Sequence, residues 1–383
     1  MAKHKVVIAG AGGMGRAVGL LLRELGDWDI DVAIGDVAES QAHDAASWIG
    51  DGSKKSGAIE PFFLPAEGTS ETFEKVLADA DILLDCLPGS EAPRMAAGAR
   101  RFGLHYANLT EYVAETRAVI DIAKGAETGF IVQTGLAPGF VNVLGHGLFQ
   151  QFCREHGVER VERLEMRVGA LTPHVRAPFF YGYTWSPIGV ATEYVKPAIV
   201  VRDFVEQEVP SLSERATILV GEKFYEEDLT SGGAADLPTA LAGKVRNLDY
   251  KTLRHPGHYD WVESVLAACP PGTDPVDYLN DRMLSEIPHV DGDDLVVVIA
   301  AVEGKNSRGH LHRREQAYLI RPQQIGARRL KAIQTTTTSA LAESARLLLD
   351  PNGPRGVCFQ SQIDLESFLA GPFVGQVYRG AEV

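Results

Sequence analysis

The chain has 383 residues, of which 45% are hydrophobic, and this length predicts two or three domains with a sizeable core. Its 51 acidic and 37 basic residues give a formal charge of −14, which argues against nucleic acid or an anionic membrane as the main partner. No apolar run approaches the roughly 20 residues that span a bilayer, and the basic start leads straight into a first strand. Four scattered cysteines without Cys-x-x-Cys spacing predict reduced thiols in a cytoplasmic protein.

The first predicted element is the apolar strand Val6–Ala9, which opens into a Gly-x-Gly-x-x-Gly pattern and then an amphipathic helix. Gly10 permits a tight turn, Gly12 lets the backbone approach a pyrophosphate, and Gly15 lets the helix pack on the strand. The helix N-terminus offers free N–H groups to phosphates. The pattern predicts a dinucleotide site; its residues are Gly10, Gly12, Gly13, Met14 and Gly15.

A second apolar strand, Val32–Gly35, ends at Asp36, about 20 residues after the third glycine. An acid at this offset binds the hydroxyls of an adenosine ribose. The same carboxylate would repel the 2′-phosphate of NADP, and residues 37–40 include no Lys or Arg. The sequence therefore predicts NAD as the cofactor.

The rest of the first third alternates helix and strand patterns, as a parallel α/β sheet requires. Helices are predicted at 39–50, 70–79, 90–102 and 114–127, and strands at 59–64, 81–89, 105–111 and 131–133. Because ligands lie beyond the carboxyl ends of strands in such sheets, Cys86, Leu87 and Pro88 are assigned to the cofactor site. Ala137 and Pro138, in the turn-rich segment Gly135–Gly139, are assigned to it as well.

From about residue 140 the pattern changes to strands of a mainly antiparallel sheet. Strands are predicted at 161–170, 198–210, 217–220 and 249–253, followed by a hairpin of strands at 295–302 and 312–320. A helix at 335–349 is most simply a return to the first domain. The expected fold is α/β: a discontinuous Rossmann domain (1–138 and 325–383) with an inserted α+β substrate and dimerisation domain (139–324).

Three clusters in the second domain combine turn residues with aromatic or cationic side chains: 181–187, 230–233 and 250–258. Arg254 can hold a carboxylate by two parallel hydrogen bonds, and Lys251, His258 and the tyrosines can move protons. The alternative interpretation is that each cluster is a structural turn. His310 and His312 have no further ligand at metal spacing, so no metal site is predicted.

Four motifs follow the glycine loop in order: Gly-Leu-Ala-Pro-Gly, Tyr-x-x-x-Trp-Ser-Pro-x-Gly, Ser-Gly-Gly and Tyr-Lys-Thr-Leu-Arg-x-Pro-Gly-His. In this combination the chain resembles the saccharopine dehydrogenase-like family, and within it the lysine 6-dehydrogenases. The resemblance implies a Rossmann domain interrupted by a substrate domain whose sheet helps to form a homodimer. It also implies oxidation by a nicotinamide cofactor at the carbon that bears a lysine side-chain amine. Ala137 stands where saccharopine-forming members carry Asp, which favours a smaller amine substrate.

On this hypothesis the side-chain carbon of L-lysine is oxidised, and the α-carboxylate must be anchored so that the correct carbon reaches the nicotinamide. Arg254 is the expected anchor because its planar fork matches a carboxylate. The other predicted substrate-binding residues are Tyr183, Trp185, Ser186, Ser231 and Gly232, and the predicted catalytic residues are Lys251, Glu111, His258 and Tyr181. Two alternatives stay open: an imine reductase that joins an amine to a carbonyl compound, and a non-catalytic NAD-binding regulator.

Overall fold

The computed structural model describes residues 3–183, 186–288 and 292–383. The strands in chain order are β1 (Lys3–Ala9), β2 (Asp29–Asp36), β3 (Ile59–Phe63), β4 (Ile82–Asp85), β5 (His105–Asn108), β6 (Gly129–Ile131), β7 (Val161–Leu171), β8 (Ala198–Arg202), β9 (Val205–Val209), β10 (Ala216–Val220), β11 (Lys223–Leu229), β12 (Val245–Arg254), β13 (Leu295–Lys305), β14 (Leu311–Ile320), β15 (Gln323–Ile325), β16 (Arg328–Leu330) and β17 (Gly356–Cys358).

The α-helices in chain order are α1 (Gly13–Leu25), α2 (Glu39–Gly52), α3 (Glu71–Ala78), α4 (Ala92–Phe102), α5 (Val113–Ala123), α6 (Phe140–His156), α7 (Pro187–Val195), α8 (Leu237–Leu241), α9 (His258–Ala267), α10 (Pro275–Glu286), α11 (Ala332–Leu349), α12 (Leu365–Ala370) and α13 (Pro372–Tyr378). Among the described helices, none is long and apolar enough to cross a membrane.

The chain forms two compact units. The first contains the residues up to Phe140 together with Gln323–Leu330 and Gln334–Arg379, and the second contains mainly Val141–Pro322. The first unit is built on a parallel sheet of seven strands in the order β17-β6-β5-β4-β1-β2-β3. The central strands β1 and β4 are apolar runs because both faces of a parallel sheet are covered. This unit confirms the predicted Rossmann-like sheet.

The second unit is built on a mixed sheet with the main order β10-β11-β12-β7-β13-β14, to which β8 and β9 are added beside β12. All its pairs are antiparallel except β7 with β12, so the predicted mainly antiparallel sheet is confirmed. The single strand predicted at 198–210 is wrong: Asp203 and Phe204 have φ of 47° and 69°, which turns the chain into a hairpin. Strand β11 was not predicted, because its charged residues hide the apolar alternation.

Candidate functional site

Two glycines of the loop in the first unit are required by close contacts within the protein. Gly10 has a φ of 98°, and a Cβ built there lies 3.0 Å from the carbonyl oxygen of Cys86. A Cβ at Gly15 lies 1.8 Å from the carbonyl oxygen of Gly10, which no side chain could tolerate. The predicted roles are a tight turn at Gly10 and close packing of the helix on the strand at Gly15, where a Cβ would also lie 3.3 Å from the side chain of Ile8 in β1.

Gly12 differs from these two because no described residue of the protein requires it to be glycine. It is the N-cap of α1, its φ and ψ are −70° and −165°, and a Cβ there has no heavy atom of the described chain within 4 Å. Among the described residues no side chain caps α1, so the first N–H groups of this helix can donate to an anion. The loop and helix end therefore fit the pyrophosphate of a dinucleotide. Gly13 accepts a hydrogen bond from Gln334 Nε2 (3.2 Å), and Met14 is half-buried in the first turn.

Asp36, at the carboxyl end of β2, fixes the loop. Its carboxylate accepts hydrogen bonds from the main-chain N–H of Ala11 (2.9 Å) and of Ala38 (3.1 Å), and from Gln41 Nε2 (3.2 Å). Because each carboxylate oxygen has two lone pairs, Oδ1 can still accept a ribose hydroxyl. The next side chain, Val37, is apolar and 53% exposed, and it brings no positive charge for a 2′-phosphate.

The segment after β4 lies directly against the glycine loop. Cys86 donates its main-chain N–H to Ala9 (2.9 Å), and the main-chain N–H of Leu87 is held by Asp85 Oδ1 (3.0 Å). Burial raises the pKa of the Cys86 thiol, so this side chain stays protonated. Pro88 is exposed and is the N-cap of the 3-10 turn Gly89–Glu91. These residues lie at the sheet edge where a dinucleotide binds.

The turn after β6 closes on itself. The N–H of Gly135 donates to the carbonyl of Pro138 (3.0 Å), and the N–H of Phe140 donates to the carbonyl of Gly135 (2.9 Å). Pro138 is buried and Ala137 is half-buried. The methyl group of Ala137 stands at the position where, by the resemblance, saccharopine-forming members carry an Asp side chain.

Glu111, just after β5, is half-buried and belongs to the first unit. Burial, and to a smaller extent the neighbouring Glu115 carboxylate, raises the pKa of Glu111 to about 7. A carboxyl group that changes charge near neutral pH is suited to accept a proton at neutral pH.

In the second unit, Arg254 lies at the end of β12 and is 1% exposed. Its Nε donates to the hydroxyl of Tyr194 (2.5 Å) and its Nη1 donates to the carbonyl of Leu253 (3.0 Å). Nη2 lies 4.0 Å from the carboxylate of Glu193. The guanidinium also lies 5.3 Å from the ring centre of Tyr181 and 5.4 Å from that of Tyr194, which is cation–π distance. Arg254 is thus a buried, permanently charged group in an aromatic setting.

His258 continues this chain of contacts in a fixed tautomer. Its Nδ1 lies 2.8 Å from the carbonyl oxygen of Phe179, which can only accept, so Nδ1 carries the proton. Nε2 therefore accepts from the hydroxyl of Tyr194 at 3.0 Å. Burial and the nearby Arg254 lower the pKa of His258 to about 3, so the ring is neutral at pH 7. Tyr181 stacks on it with ring centres 4.6 Å apart. We call Arg254, Tyr194, His258 and Tyr181 the arginine cluster.

Other predicted substrate-binding residues lie in turns of the same unit. Ser231, 8% exposed, precedes Gly232, whose φ of 85° makes the turn. Ser186 begins α7 and its hydroxyl accepts from the N–H of Gly189 (3.5 Å), while the ring of Tyr183 meets that of Tyr181 edge-on at 5.9 Å. Trp185 lies outside the described residues.

Lys251 is not part of the arginine cluster. It is three residues before Arg254 on β12, and because side chains alternate along a strand the two lie on opposite faces of the sheet. Its Nζ donates to the carbonyl of Glu214 (2.6 Å) and lies 3.8 Å from Glu227 Oε1. Glu227 in turn pairs with Arg167. The structure therefore does not bring Lys251 together with Arg254 and His258, because a spacing of three residues in a strand puts side chains on opposite faces, and its predicted catalytic role stays a prediction.

Sequence reasoning missed two members of this region, Tyr194 and Glu193, and two in the first unit, Asp85 and Tyr106. Tyr194 and Glu193 follow the Trp-Ser-Pro motif on α7, but no spacing pattern relates them to Arg254, about 60 residues later. Asp85 is the last residue of β4, and Tyr106 lies in the neighbouring strand β5. The hydrogen bond between their side chains (2.8 Å) joins these two strands. A buried acid within an apolar strand was the one available signal.

Among the described residues, no group of His, Cys, Asp and Glu side chains could hold a metal ion.

Comparison with known proteins agrees with this architecture. Residues 6–132 match the family described as Saccharopine dehydrogenase NADP binding domain, and residues 135–379 match the Saccharopine dehydrogenase C-terminal domain. The fold is similar to that of apo saccharopine dehydrogenase (L-Glu forming) from Saccharomyces cerevisiae, with 15% identity, 96% of each chain covered and a TM-score of 0.73. It is also similar to homospermidine synthase from Legionella pneumophila in complex with NAD, with 12% identity, 98% of this chain and 90% of that chain covered, and a TM-score of 0.70.

These two structural likenesses show the fold, and the two family matches together span most of the chain. The chain belongs to the saccharopine dehydrogenase family and is an NAD(P)-dependent oxidoreductase of that family.

Proposed function

We propose that this protein oxidises the side-chain amine of L-lysine with NAD, giving 2-aminoadipate 6-semialdehyde and ammonia. The aldehyde then cyclises to 1-piperideine-6-carboxylate. The observation that carries the proposal is the arginine cluster, which combines one buried cation with stacked aromatic rings. An amino acid with a long apolar side chain needs both features: a partner for its carboxylate and apolar surface for its methylenes.

Arg254 is the proposed carboxylate anchor. Two of its nitrogens already donate to Tyr194 and Leu253, whereas Nη2 forms no hydrogen bond with any described residue and lies 4.0 Å from the Glu193 carboxylate. That edge of the guanidinium is the one that can bind a carboxylate. Tyr181, Tyr183, Trp185, Ser186, Ser231 and Gly232 are proposed to contact the rest of the substrate.

The cofactor would be held by the glycine loop, by the N-terminus of α1 and by Asp36. Bound NAD would accept the hydride that leaves the substrate carbon. The contacts of Asp36 and the apolar Val37 beside it favour NAD over NADP, because neither residue offers a positive charge to a 2′-phosphate.

The substrate ammonium must lose a proton before hydride can leave its carbon. Taking an amine of pKa about 10.4 to its free base at pH 7 costs roughly 4–5 kcal/mol. Of the proposed proton acceptors, Glu111 titrates near neutral pH, whereas neutral His258 has a pKa near 3 and is a weak base. We therefore assign proton removal to Glu111 and assign His258 to positioning Tyr194 and, through it, Arg254.

Loss of the hydride leaves an iminium ion on the substrate. Water adds to its carbon, one proton passes from the added water to nitrogen, and the carbon–nitrogen bond breaks to release ammonia while the remaining hydroxyl proton passes to a proton acceptor, which leaves the aldehyde. No residue besides a proton acceptor is needed for this step.

The proposal is tested by measuring NADH formation with a panel of amino acids and diamines between pH 7 and pH 10. We expect a signal with lysine that grows toward alkaline pH. No lysine-dependent signal would reject the substrate. Oxidation of NADPH that needs both an amine and a carbonyl compound would instead identify an imine reductase, and dinucleotide binding without turnover would identify a regulator. The proposed homodimer is tested separately by sedimentation.

A further inference from the structure

Asp85 is a buried carboxyl group that the proposed reaction does not use. It is the last residue of β4, where its backbone pairs with Ala9 on one side and Asn108 on the other. The side chain is 3% exposed and no described residue forms an ion pair with it. Its Oδ2 accepts from the hydroxyl of Tyr106 (2.8 Å) and its Oδ1 from the N–H of Leu87 (3.0 Å). A single charge is therefore held in the sheet by two neutral donors.

Asp85 directly precedes Cys86, whose main chain contacts the glycine loop. The carbonyl oxygen of Cys86 is 3.0 Å, and the side chain of Leu87 3.2 Å, from a Cβ built at Gly10. In a doubly wound sheet of this order, β1 to β3 and β4 to β6 form two mononucleotide-binding halves. Asp85 therefore belongs to the half opposite Asp36, the half that receives the nicotinamide end if Asp36 binds the adenosine ribose.

The two redox forms of the cofactor differ by one charge at that end. The nicotinamide ring of NAD⁺ is positive, and it becomes neutral when it gains a hydride. A buried carboxylate attracts the first form more strongly than the second, and the low dielectric constant of the interior strengthens this difference.

We infer that Asp85 is a specificity-determining residue which, in its ionised form, makes the protein favour NAD⁺ over NADH. The inference rests on the dinucleotide-binding part of the proposed function.

Asp85 changes its charge in the range where the protein can be tested. Burial raises the pKa of Asp85 to about 7, against the hydrogen bonds from Tyr106 and Leu87, which lower it. The other charged groups that face it are Glu91, which raises its pKa, and Arg94, which lowers it. Arg94 is itself bound to Glu91 (2.8 Å), so these two charges largely cancel. The half-buried Cys86 thiol beside it stays neutral.

The test is the ratio of the dissociation constants of NADH and NAD⁺, measured by calorimetry from pH 6 to pH 8.5 on the full chain. We expect the ratio to rise about three- to tenfold with pH in the wild type, with a midpoint near 7, and to change less than twofold in Asp85→Asn. A general loosening of the site would weaken the binding of NAD⁺ and of NADH equally and leave the ratio of their dissociation constants unchanged.

Two further variants keep the inference open to contradiction. Tyr106→Phe removes a hydrogen bond to the carboxylate, so the midpoint should move to higher pH; this variant also serves if Asp85→Asn does not fold. Glu111→Gln should keep the rise. Two outcomes would overturn this inference alone. In one, the wild type binds both dinucleotides with a ratio of dissociation constants that does not change with pH; in the other, Glu111→Gln removes the rise of this ratio and Asp85→Asn keeps it. Failure to bind either dinucleotide at any pH would overturn the proposed function with it.

Discussion

The glycine loop and the arginine cluster are built from different parts of the chain. In the loop, main-chain atoms approach one another closely, and Gly10 and Gly15 are needed because a Cβ there would meet a backbone carbonyl oxygen. In the cluster, side-chain atoms meet over long sequence separations: Arg254 with Tyr194 across 60 residues, and His258 with Phe179 across 79. The loop is therefore sensitive to added atoms, whereas the cluster is sensitive to the loss or displacement of single polar atoms.

The largest expected effect comes from adding one carbon at two glycines of the same loop. Gly15→Ala places Cβ 1.8 Å from a backbone carbonyl oxygen, so we expect a loss of stability of about 3 kcal/mol and poor folding. Gly12→Ala meets no protein atom and has allowed backbone angles, so its melting temperature should match the wild type. Its affinity for NAD should nevertheless fall at least tenfold, about 1.4 kcal/mol.

Thermal melts and calorimetric titration with NAD measure both effects. The comparison fails if Gly12→Ala binds NAD normally, since the open space beside Gly12 would then not face the pyrophosphate.

The next effect tests the side-chain cluster. Arg254→Lys keeps the charge but loses the planar fork and the Nε–H bond to Tyr194, so KM for lysine should rise tenfold or more, about 1.4 kcal/mol. The dissociation constant for NAD should stay unchanged. Lys251→Met is the matched control on the opposite face of β12: we expect a lower melting temperature and less than a twofold change in KM, because Lys251 contacts Glu214 and Glu227.

Steady-state kinetics of both variants, with a melt of each, separate anchoring from folding. An unchanged KM in a well-folded Arg254→Lys protein would place the carboxylate anchor elsewhere. A large rise in KM for Lys251→Met would contradict the division of the strand into two faces.

The same contrast explains how much of the molecule could be predicted from its sequence. The parallel sheet and the loop could be predicted because their signals are local: apolar runs, spaced glycines and an acid after the second strand. The predicted strand at 198–210 failed because two non-glycine residues, Asp203 and Phe204, adopt positive φ without a turn motif. Tyr194 and Glu193 could not be predicted as partners of Arg254, since only the folded chain brings α7 to the end of β12.

A smaller effect concerns the choice of cofactor. Asp36→Ser removes a carboxylate that holds Ala11 N–H and Gln41, so we expect NAD to bind about three- to tenfold more weakly. The repulsion of a 2′-phosphate disappears at the same time, so the affinity for NADP should stay the same or increase. Titration of wild type and variant with both dinucleotides measures this. A wild type that already prefers NADP would show that Asp36 does not select the cofactor.

A final expected effect is a change in the pH dependence of stability at Glu111. Its pKa is about 7 in the folded protein, above the value of about 4.3 in an unfolded chain, so the folded state holds the proton more tightly. The stability linked to this proton is fully present below about pH 4 and is lost as pH rises through 7. Glu111→Gln has no charge to bury, so it should melt at a higher temperature than the wild type at pH 8 and at a similar temperature near pH 4. If Glu111 is also the proton acceptor, the same variant loses the rise of kcat/KM through pH 7. If the melting temperature of Glu111→Gln changes but the pH profile of kcat/KM does not, burial of Glu111 affects stability only, and another group removes the proton.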